Sequence, residues 1–207
     1  HLGRDILSRV IHGARISLIV VAVTLGVGGV IGVSGGLLAG FYGGWVDEVV
    51  MRIVDIKLAI PTILLALVLV LALGQSFLII VAILAIAIWP RFARNTRGEV
   101  LQLKTMDYVA LAKVSGASTP RILLFHIFPG VINTLIILAT LEVGIVILLE
   151  STLSFLGAGV PPPTPAWGSM VADGRDRLAV AWWISTMPGL AIMVVVLAMN
   201  LFGDWLR

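Results

Sequence analysis

The sequence contains no cysteine and little charge. Without cysteine, the chain can form neither a disulfide framework nor a thiolate metal site. Charged residues make up only 12% of its 207 residues, about half of the 25% that is typical of soluble domains. Hydrophobic residues make up 59%. This composition excludes an ordinary soluble domain and indicates a membrane protein.

An uninterrupted basic run is also missing. The net charge of +3 could suggest binding to nucleic acid, but the Lys and Arg residues are dispersed. Membrane proteins carry an excess of these residues in their cytoplasmic loops. We therefore attribute the charge to that bias, and expect membrane lipid but no nucleic acid among the partners.

Motifs for catalysis and for cofactors are missing as well. The chain has no G-x-x-x-x-G-K-[ST] loop for ATP, and its three His residues are too scattered for a metal motif. An intramembrane hydrolase would need a base beside its nucleophile, but Ser115 and Ser118 lie outside the apolar runs and suit a turn and a helix cap. We expect no catalytic residue, no metal site and no enzyme.

Long apolar runs are what the sequence does contain. They cover residues 16–40, 58–90, 131–149 and 178–203. A helical span needs about 20 apolar residues, so the second run is too long for one crossing, and Gly74-Gln75-Ser76 divides it into a helical hairpin. Pro188-Gly189 is expected to kink the last run. The sequence predicts an all-α membrane protein with five spans.

The distribution of basic residues predicts the orientation. One side has Arg52, Lys57, Arg91, Arg94, Arg97, Lys104, Lys113, Arg121 and Arg207, and the other has Arg4, Arg9, Arg15, Arg175 and Arg177. Because the cytoplasmic side is the more basic one, we expect residues 91–130 and Arg207 to be cytoplasmic and His1 to lie outside.

Glycine recurs every four residues in the first run. Gly28, Gly32, Gly36 and Gly40, followed by Gly44, lie near one helix face, where another helix backbone can approach closely. The partner helix could belong to this chain or to another subunit, and the spacing favours neither.

Residues 91–130 form a polar segment between two apolar runs. Residues 106–115 contain no helix breaker, and Gly116 can adopt the left-handed conformation that ends a helix. Ser118 or Thr119 can cap a second helix with Pro120 in its first turn. We expect this helix to cover residues 121–128 and to end at Pro129. Such a rigid unit suits contact with another protein, although a connector lying on the lipid surface fits equally well.

This segment resembles the cytoplasmic signature loop of ABC importer permeases. That pattern is Glu-Ala-Ala, three residues, Gly, and a short helix ending in Leu-Pro. Gly116 and Pro129 have the right separation and Ala112 matches the second Ala, whereas Ala110, Leu111 and Phe128 depart from the pattern. The resemblance implies ATPase contacts at Ala110, Leu111, Ala112, Lys113, Ser115, Gly116, Ala117 and Pro129.

The resemblance extends along the whole chain. The stretches HLGRDILSRVIHGARISL, GFYGGWVDEVVMRIVDI, ESTLSFLGAGVPPPTPAWGSMVADGRD and PGLAIMVVVLAMNLFGDWLR are similar to the C-type permease of dipeptide/oligopeptide (nickel) importers. That resemblance implies a type I ABC importer permease fold, with residues 1–207 as one permease domain and residues 91–130 as its coupling loop. Since the family has six spans, we expect the first to precede His1 and a few residues to follow Arg207.

The function that the resemblance implies is transport across the cytoplasmic (inner) membrane. The chain would pair with a homologous B-type permease, and two cytoplasmic ATPases would bind ATP and Mg²⁺, while this chain binds no cofactor. An extracytoplasmic binding protein would deliver the solute. Relatives carry dipeptides, longer peptides, nickel complexes or glutathione-like molecules.

An ion-driven secondary transporter or channel is the alternative. Glu142 falls inside a predicted span, where a carboxylate costs roughly 2.5–3.5 kcal/mol to insert, but it has no basic partner in the predicted spans. It suits packing or a pore. Glu150 lies near the predicted outer boundary, where water is close, and matches a Glu before the family's Ser-Leu-Ser-Phe-Leu-Gly, so it suits a gate or a structural hydrogen bond.

The outer segment after residue 160 is stiffened by three prolines, residues 161–163. They would hold residues 167–176 over the pore mouth, where a binding protein could dock or a plain lid could lie. Trp167 is expected to anchor this segment at the membrane interface, and an aromatic platform for the solute is the alternative.

Overall fold

The computed structural model describes residues 5–161 and 164–206, and within these ranges it is helical without any strand. The helices are α1 (Ile6–Tyr42), α2 (Gly44–Ala59), α3 (Thr62–Leu73), α4 (Phe77–Leu103), α5 (Asp107–Val114), α6 (Thr119–Ile122), α7 (Phe128–Phe155), α8 (Trp167–Gly174), α9 (Leu178–Ala181) and α10 (Trp183–Trp205). A π-helical turn, Leu123–Ile127, joins α6 to α7, and a 3₁₀ turn, Arg175–Arg177, joins α8 to α9. The predicted positions of His1 and Arg207, and two of the three prolines, Pro162 and Pro163, lie outside the described residues.

Four stretches of the described chain are long and apolar enough to cross a membrane. They are α1, α4, the continuous helix Thr119–Phe155, and α10. Helices α2 and α3 form a pair bent by 88°, which makes a fifth span if the pair is counted as one. The prediction of an all-α protein with five spans is confirmed in that sense.

The predicted hairpin is only partly correct. Its turn is where the sequence placed it, because Gly74 has a φ of +87° and Ser76 caps α4 by accepting a hydrogen bond from the Ile79 N–H. Its first arm, however, is not one straight helix. Helix α3 has 12 residues, about 18 Å at 1.5 Å per residue, and the chain bends before it at Pro61, which lacks an N–H and restricts the preceding residue.

Pro90, the last residue of a predicted apolar run, and Pro129, the predicted end of a helix, both lie within helices. Helix α4 continues through Pro90 to Leu103, because its second half packs along α1. Pro129 lies in the first turn of α7. The π turn accommodates it, since the Phe128 N–H bonds to the carbonyl of Leu123, five residues back. Helix α4 therefore extends into residues 91–130 from one side, and the continuous helix Thr119–Phe155 extends into them from the other.

The last predicted span is also interrupted. Residues 178–203 form two helices with a break at Trp182, and only α10 is long enough to be a span. Helix α10 continues through Pro188. The break leaves α10 to cross the membrane and to pack on α7 and α8.

The glycine face of α1 packs on α4 of the same chain. A Cβ built on Gly28 would lie 2.7 Å from Ile88 Cγ1, one on Gly36 would lie 2.5 Å from the Ala93 carbonyl oxygen, and one on Gly40 would lie 2.7 Å from Val100 Cβ. Gly32 makes the same kind of contact. The glycine face therefore serves packing within the chain. Gly44 instead begins α2 and lies away from this interface.

Candidate coupling motif and buried charges

Helix α5, the Gly116 turn and α6 form a helix–turn–helix, which we call the coupling motif. Gly116 has a φ of +77°, and the Ala117 N–H bonds to the Ala112 carbonyl at 3.0 Å, as in a Schellman C-cap. The Ser118 carbonyl accepts from the Ile122 N–H, and Pro120 lies in the first turn of α6. The predicted first helix, left-handed Gly116 and start of the second helix are confirmed.

The motif is attached to the helices that span the membrane. Buried residues of the motif pack with residues of α1, α4 and α7 in one hydrophobic cluster, which contains Leu37, Val100, Val109, Ala112, Ile122, Leu123, Ile127 and Val131. Lys113 adds a cation–π contact, with its Nζ 5.3 Å from the ring centroid of Phe41 at the end of α1. The motif is thus fixed at the same end of the molecule as the last turns of α1 and α4.

The residues expected to contact an ATPase do not all lie together. Five of them are exposed on the motif: Ala110, Leu111, Lys113, Ser115 and Gly116. Ala112 is buried and Ala117 is partly buried against the cluster, so these two residues pack the motif onto the spanning helices and do not face a partner. Pro129 is exposed but lies in α7, away from the turn. The tip also exposes Val114, which is 86% accessible and is not among the residues that the family pattern implied.

Ion pairs hold α2 against the same end of α4. Arg97 binds Asp47 through two hydrogen bonds, one of them 2.6 Å from Nη2 to Oδ2. Arg94 donates to Asp55 at 2.6 Å, and Lys104 donates to the Gly40 carbonyl at 2.7 Å. These contacts join α1, α2 and α4 near the coupling motif.

Glu142 does have a basic partner, contrary to the prediction. It lies halfway along α7 with its side chain 2% exposed, and its Oε1 accepts a hydrogen bond from Arg91 Nη1 at 2.9 Å. Lys57 is also buried and donates to the Ala87 carbonyl at 2.8 Å and to Thr62. The charges of Arg91 and Lys57 both act on Glu142. We call Lys57, Arg91 and Glu142 the mid-span charge cluster.

This cluster could not be recognised from the apolar runs alone. Ending the span at Pro90 placed Arg91 outside the membrane, whereas the continuous helix places it halfway along α4. Residues 91–103 carry polar side chains between apolar ones at helical spacing, and this signal could have revealed the longer helix.

Glu150 lies two turns beyond Glu142 on α7, and the structure does not bring the two together. Its side chain is 1% exposed, so it is more deeply buried than its predicted place near water implied. Oε1 accepts a hydrogen bond from the Ser154 hydroxyl at 2.8 Å, while Oε2 has no hydrogen-bond partner among the described residues. The expected structural hydrogen bond is therefore present.

The outer segment packs closely on the end of α7. Trp167 is 3% exposed, and its indole N–H donates to the Val10 carbonyl at 2.9 Å. It therefore joins α8 to α1, and the expectation that it anchors the segment at the membrane interface is wrong. A cavity of about 900 Å³ lies beside it, with Arg9, Gln75 and Asp173 in its wall.

Comparison with known proteins agrees with this arrangement. The family described as binding-protein-dependent transport system inner membrane component matches residues 32–207. Over 206 residues the chain is 43% identical to the glutathione transport system permease protein GsiD of Pectobacterium atrosepticum, and 43% identical to the di/tripeptide transport system permease protein DppC of Pseudomonas aeruginosa. Each match covers 100% of this chain and 68% of the relative.

Solved structures share the fold. An inward-facing structure of the MetNI methionine ABC transporter aligns with a TM-score of 0.77 and 18% identity, covering 98% of this chain and 96% of the other. A crystal structure of an amino acid ABC transporter with histidines aligns with a TM-score of 0.64 and 17% identity, covering 99% and 96%. These likenesses establish the architecture of the helices.

Proposed function

Since the chain belongs to the family of binding-protein-dependent transport system inner membrane components, we propose that it is the permease subunit of an ATP-driven importer of peptides or of peptide-like solutes such as glutathione. The observation that carries the solute class is the 43% identity, over the whole chain, to permeases named for glutathione and for di- and tripeptides. Its place is the inner membrane.

The proposed assembly has four further components. A homologous permease supplies the other half of the translocation path, two cytoplasmic ATPases bind ATP and Mg²⁺, and an extracytoplasmic binding protein delivers the solute. This chain contributes helices and contact surfaces, and binds neither ATP nor Mg²⁺ itself.

The coupling motif is the proposed contact with an ATPase. Its tip is exposed and apolar, with Leu111 65% and Val114 86% accessible. The buried side of the motif packs on α1, α4 and α7. An exposed apolar patch of this kind marks a contact with a partner. We place the motif in the cytoplasm and α8 on the outer side, and we assign a gating or positioning role to Glu142 and Glu150.

An ion-driven carrier is not favoured. The family and the relatives are parts of binding-protein-dependent systems. Glu142, the residue that suggested such a carrier, forms an ion pair with Arg91.

Transport by the complete complex tests the proposed function. The chain is co-purified with its permease partner, ATPases and binding protein and placed in proteoliposomes, and uptake of a dipeptide and of glutathione is measured with and without ATP. We expect uptake of at least one of them to require both ATP and the binding protein. Uptake driven by a proton or sodium gradient without ATP would contradict the proposal.

A substitution at Gly116 tests the coupling role. In this chain a Cβ on Gly116 would meet no atom within 4 Å, so a side chain there acts through backbone strain, about 1–2 kcal/mol for a non-Gly residue in the left-handed region, and through any contact with a partner. We expect Gly116→Val to leave the spans inserted but to lower ATPase association or coupled uptake. Asn tolerates the left-handed conformation better than Val, so Gly116→Asn separates the two effects. If backbone strain alone matters, Gly116→Asn should keep coupled uptake. If the ATPase surface leaves no room for a side chain, Gly116→Asn should lose it as well. Normal coupled uptake by Gly116→Val would rule out the coupling assignment.

A further inference from the structure

Helix α4 has an exposed polar stripe in its second half. Arg91, Asn95, Gly98 and Gln102 follow one another at the spacing of one helix face, and the side chains of Arg91, Asn95 and Gln102 are exposed. The first half of the same helix is apolar, and its residues at the preceding positions of this face, Leu84 and Ala87, are buried. A polar face on a helix that spans a membrane is tolerated where it borders water or protein rather than lipid.

Arg91 is kept by its ion pair with Glu142 from extending along α4 toward the headgroups. It lies halfway along α4, and its Nη1 is bound to Glu142, which lies halfway along α7 and is buried. Yet its side chain is 46% exposed. One side of the guanidinium is therefore held by the carboxylate, while the other side faces outward from this chain at mid-depth.

The helix break between α2 and α3 gives an independent indication of where water lies. Ile60 and Pro61, at the bend, are both exposed, although Lys57 joins this bend to Ala87, one turn from Arg91. Irregular backbone at membrane depth occurs where it is buried in protein or lines a water-filled cavity. An exposed break beside an exposed guanidinium indicates an aqueous surface at this place.

The charges of this surface select for an anion. The mid-span charge cluster contains two cations and one carboxylate, and of the three only Arg91 is exposed. The accessible group is the guanidinium, whose planar fork matches a carboxylate. Asn95, one turn further along α4, adds an exposed amide to the same surface, and its Nδ2 donates to the Arg91 backbone carbonyl at 2.8 Å.

We propose that Arg91, positioned by Glu142, binds the carboxylate of the solute at mid-depth, and that Asn95, Gly98 and Gln102 continue this wall of the path toward the coupling motif. The ligand class is a solute with a free carboxylate, such as the C-terminal carboxylate of a peptide. This inference rests on the proposed function, to which it adds the group in this chain that contacts the solute.

Charge-selective labelling tests the site without requiring knowledge of the natural solute. The 207 residues contain no cysteine, so Asn95→Cys is introduced into the complete complex after any other cysteine of the complex has been replaced. Its reaction with an anionic and with a cationic methanethiosulfonate reagent is then timed in proteoliposomes. We expect both reagents to react, with the anionic one favoured after correction for their intrinsic rates. Val30→Cys, on the apolar outer face of α1 and 68% exposed, is the control and should not react.

Two further variants test the role of the guanidinium. Arg91→Gln should lower the anion preference by roughly five- to tenfold, as expected for one charge within about 7 Å in water, while Arg91→Lys should retain most of it. Since Arg91→Gln leaves Glu142 buried and unpaired, the double variant Arg91→Gln/Glu142→Gln is measured too, and should show the same loss. The dipeptide dialanine should slow the labelling, and its C-terminal amide should slow it less.

The outcomes separate this inference from the proposed function. An unreactive Asn95→Cys in a complex that still imports peptides would overturn the aqueous stripe, and an anion preference unchanged by both Arg91 variants would overturn the carboxylate site. Conversely, charge-selective labelling of Asn95→Cys in a complex that shows no ATP-driven uptake would support the carboxylate site and refute the proposed function.

Discussion

The interface between α1 and α4 and the outer surface of α10 are built in opposite ways. In the most apolar stretch of α4, 56% of the residues are buried within this chain, whereas the figure for α10 is 11%. The first interface brings two backbones together through glycines. The second exposes large apolar side chains, among them Met193, Val194 and Leu197.

The difference shows which part of this permease subunit moves as one piece. Helices α1 and α4 approach too closely to slide past each other, and the coupling motif is packed on their ends through Leu37 and Val100. A displacement of the motif is therefore transmitted to both helices. Helix α10 can meet lipid or another subunit without disturbing that unit.

The largest effect is expected from a side chain placed inside the glycine interface. Gly36→Val should prevent most of the chain from folding, because the new atoms would overlap the α4 backbone at Ala93. Overpacking costs about 1–3 kcal/mol where side chains can yield, and a backbone yields less. The yield of monodisperse protein and its thermal midpoint in detergent measure this.

The neighbouring residue is the matched control for that experiment. A Cβ on Gly35 would be in ordinary contact, 3.7 Å from Val50 Cγ1, so Gly35→Ala should leave the thermal midpoint nearly unchanged. Equal losses from Gly35→Ala and Gly36→Ala would mean that close backbone approach does not hold α1 against α4.

A smaller loss of stability is expected in the mid-span charge cluster. Arg91→Gln leaves Glu142 buried without its cation, and breaking a buried pair in this way costs about 3–5 kcal/mol when both members are fully buried. Because Arg91 is half exposed, we expect about 2–3 kcal/mol. The double variant with Glu142→Gln should recover most of this in a double-mutant cycle. Additive losses would contradict the pairing.

Within the polar segment, the turn and the helix start were predicted correctly from the sequence, whereas the ends of the flanking helices were not. Gly116 and Pro120 have local requirements, a left-handed φ and a missing N–H, and these can be recognised in any context. Pro129 was predicted to end a helix and Pro90 was the last residue of a predicted apolar run, but a π turn and tertiary packing on α1 continue the helices past them. Pairing between Arg91 and Glu142 depends on those continuations, so it could not be derived from local patterns.

Neutralising Glu150 should affect transport more than assembly. Its Oε1 accepts a hydrogen bond from Ser154, and Gln keeps an oxygen acceptor in the same place. We expect Glu150→Gln to change the thermal midpoint little and to reduce uptake. Normal uptake by a well-expressed variant would show that the negative charge has no role in transport.

The smallest effect is expected on α10. Val194→Ala removes two methyl groups from a side chain that is 58% exposed, and outward-facing substitutions usually change stability by less than about 0.5 kcal/mol. The thermal midpoint of the isolated chain in detergent should therefore stay the same. A loss as large as that of Gly36→Val would erase the contrast between the two regions.

The central claim is that the coupling motif contacts an ATPase and is fixed to the α1–α4 unit. Cross-linking from the tip of the motif tests this claim most directly. A single cysteine is placed at Val114 or, as the control of equal exposure, at Leu71 on α3, both 86% accessible. In the complete complex in its membrane, this cysteine is then labelled with a benzophenone maleimide and irradiated, so that the cross-link needs no second cysteine in the neighbouring subunit. The account predicts that Val114→Cys cross-links to an ATPase subunit, with a yield that changes when ATP binds, and that Leu71→Cys does not. Labelling of Val114→Cys by an impermeant reagent from outside intact cells, or no cross-link to an ATPase in a complex that still transports, would contradict it.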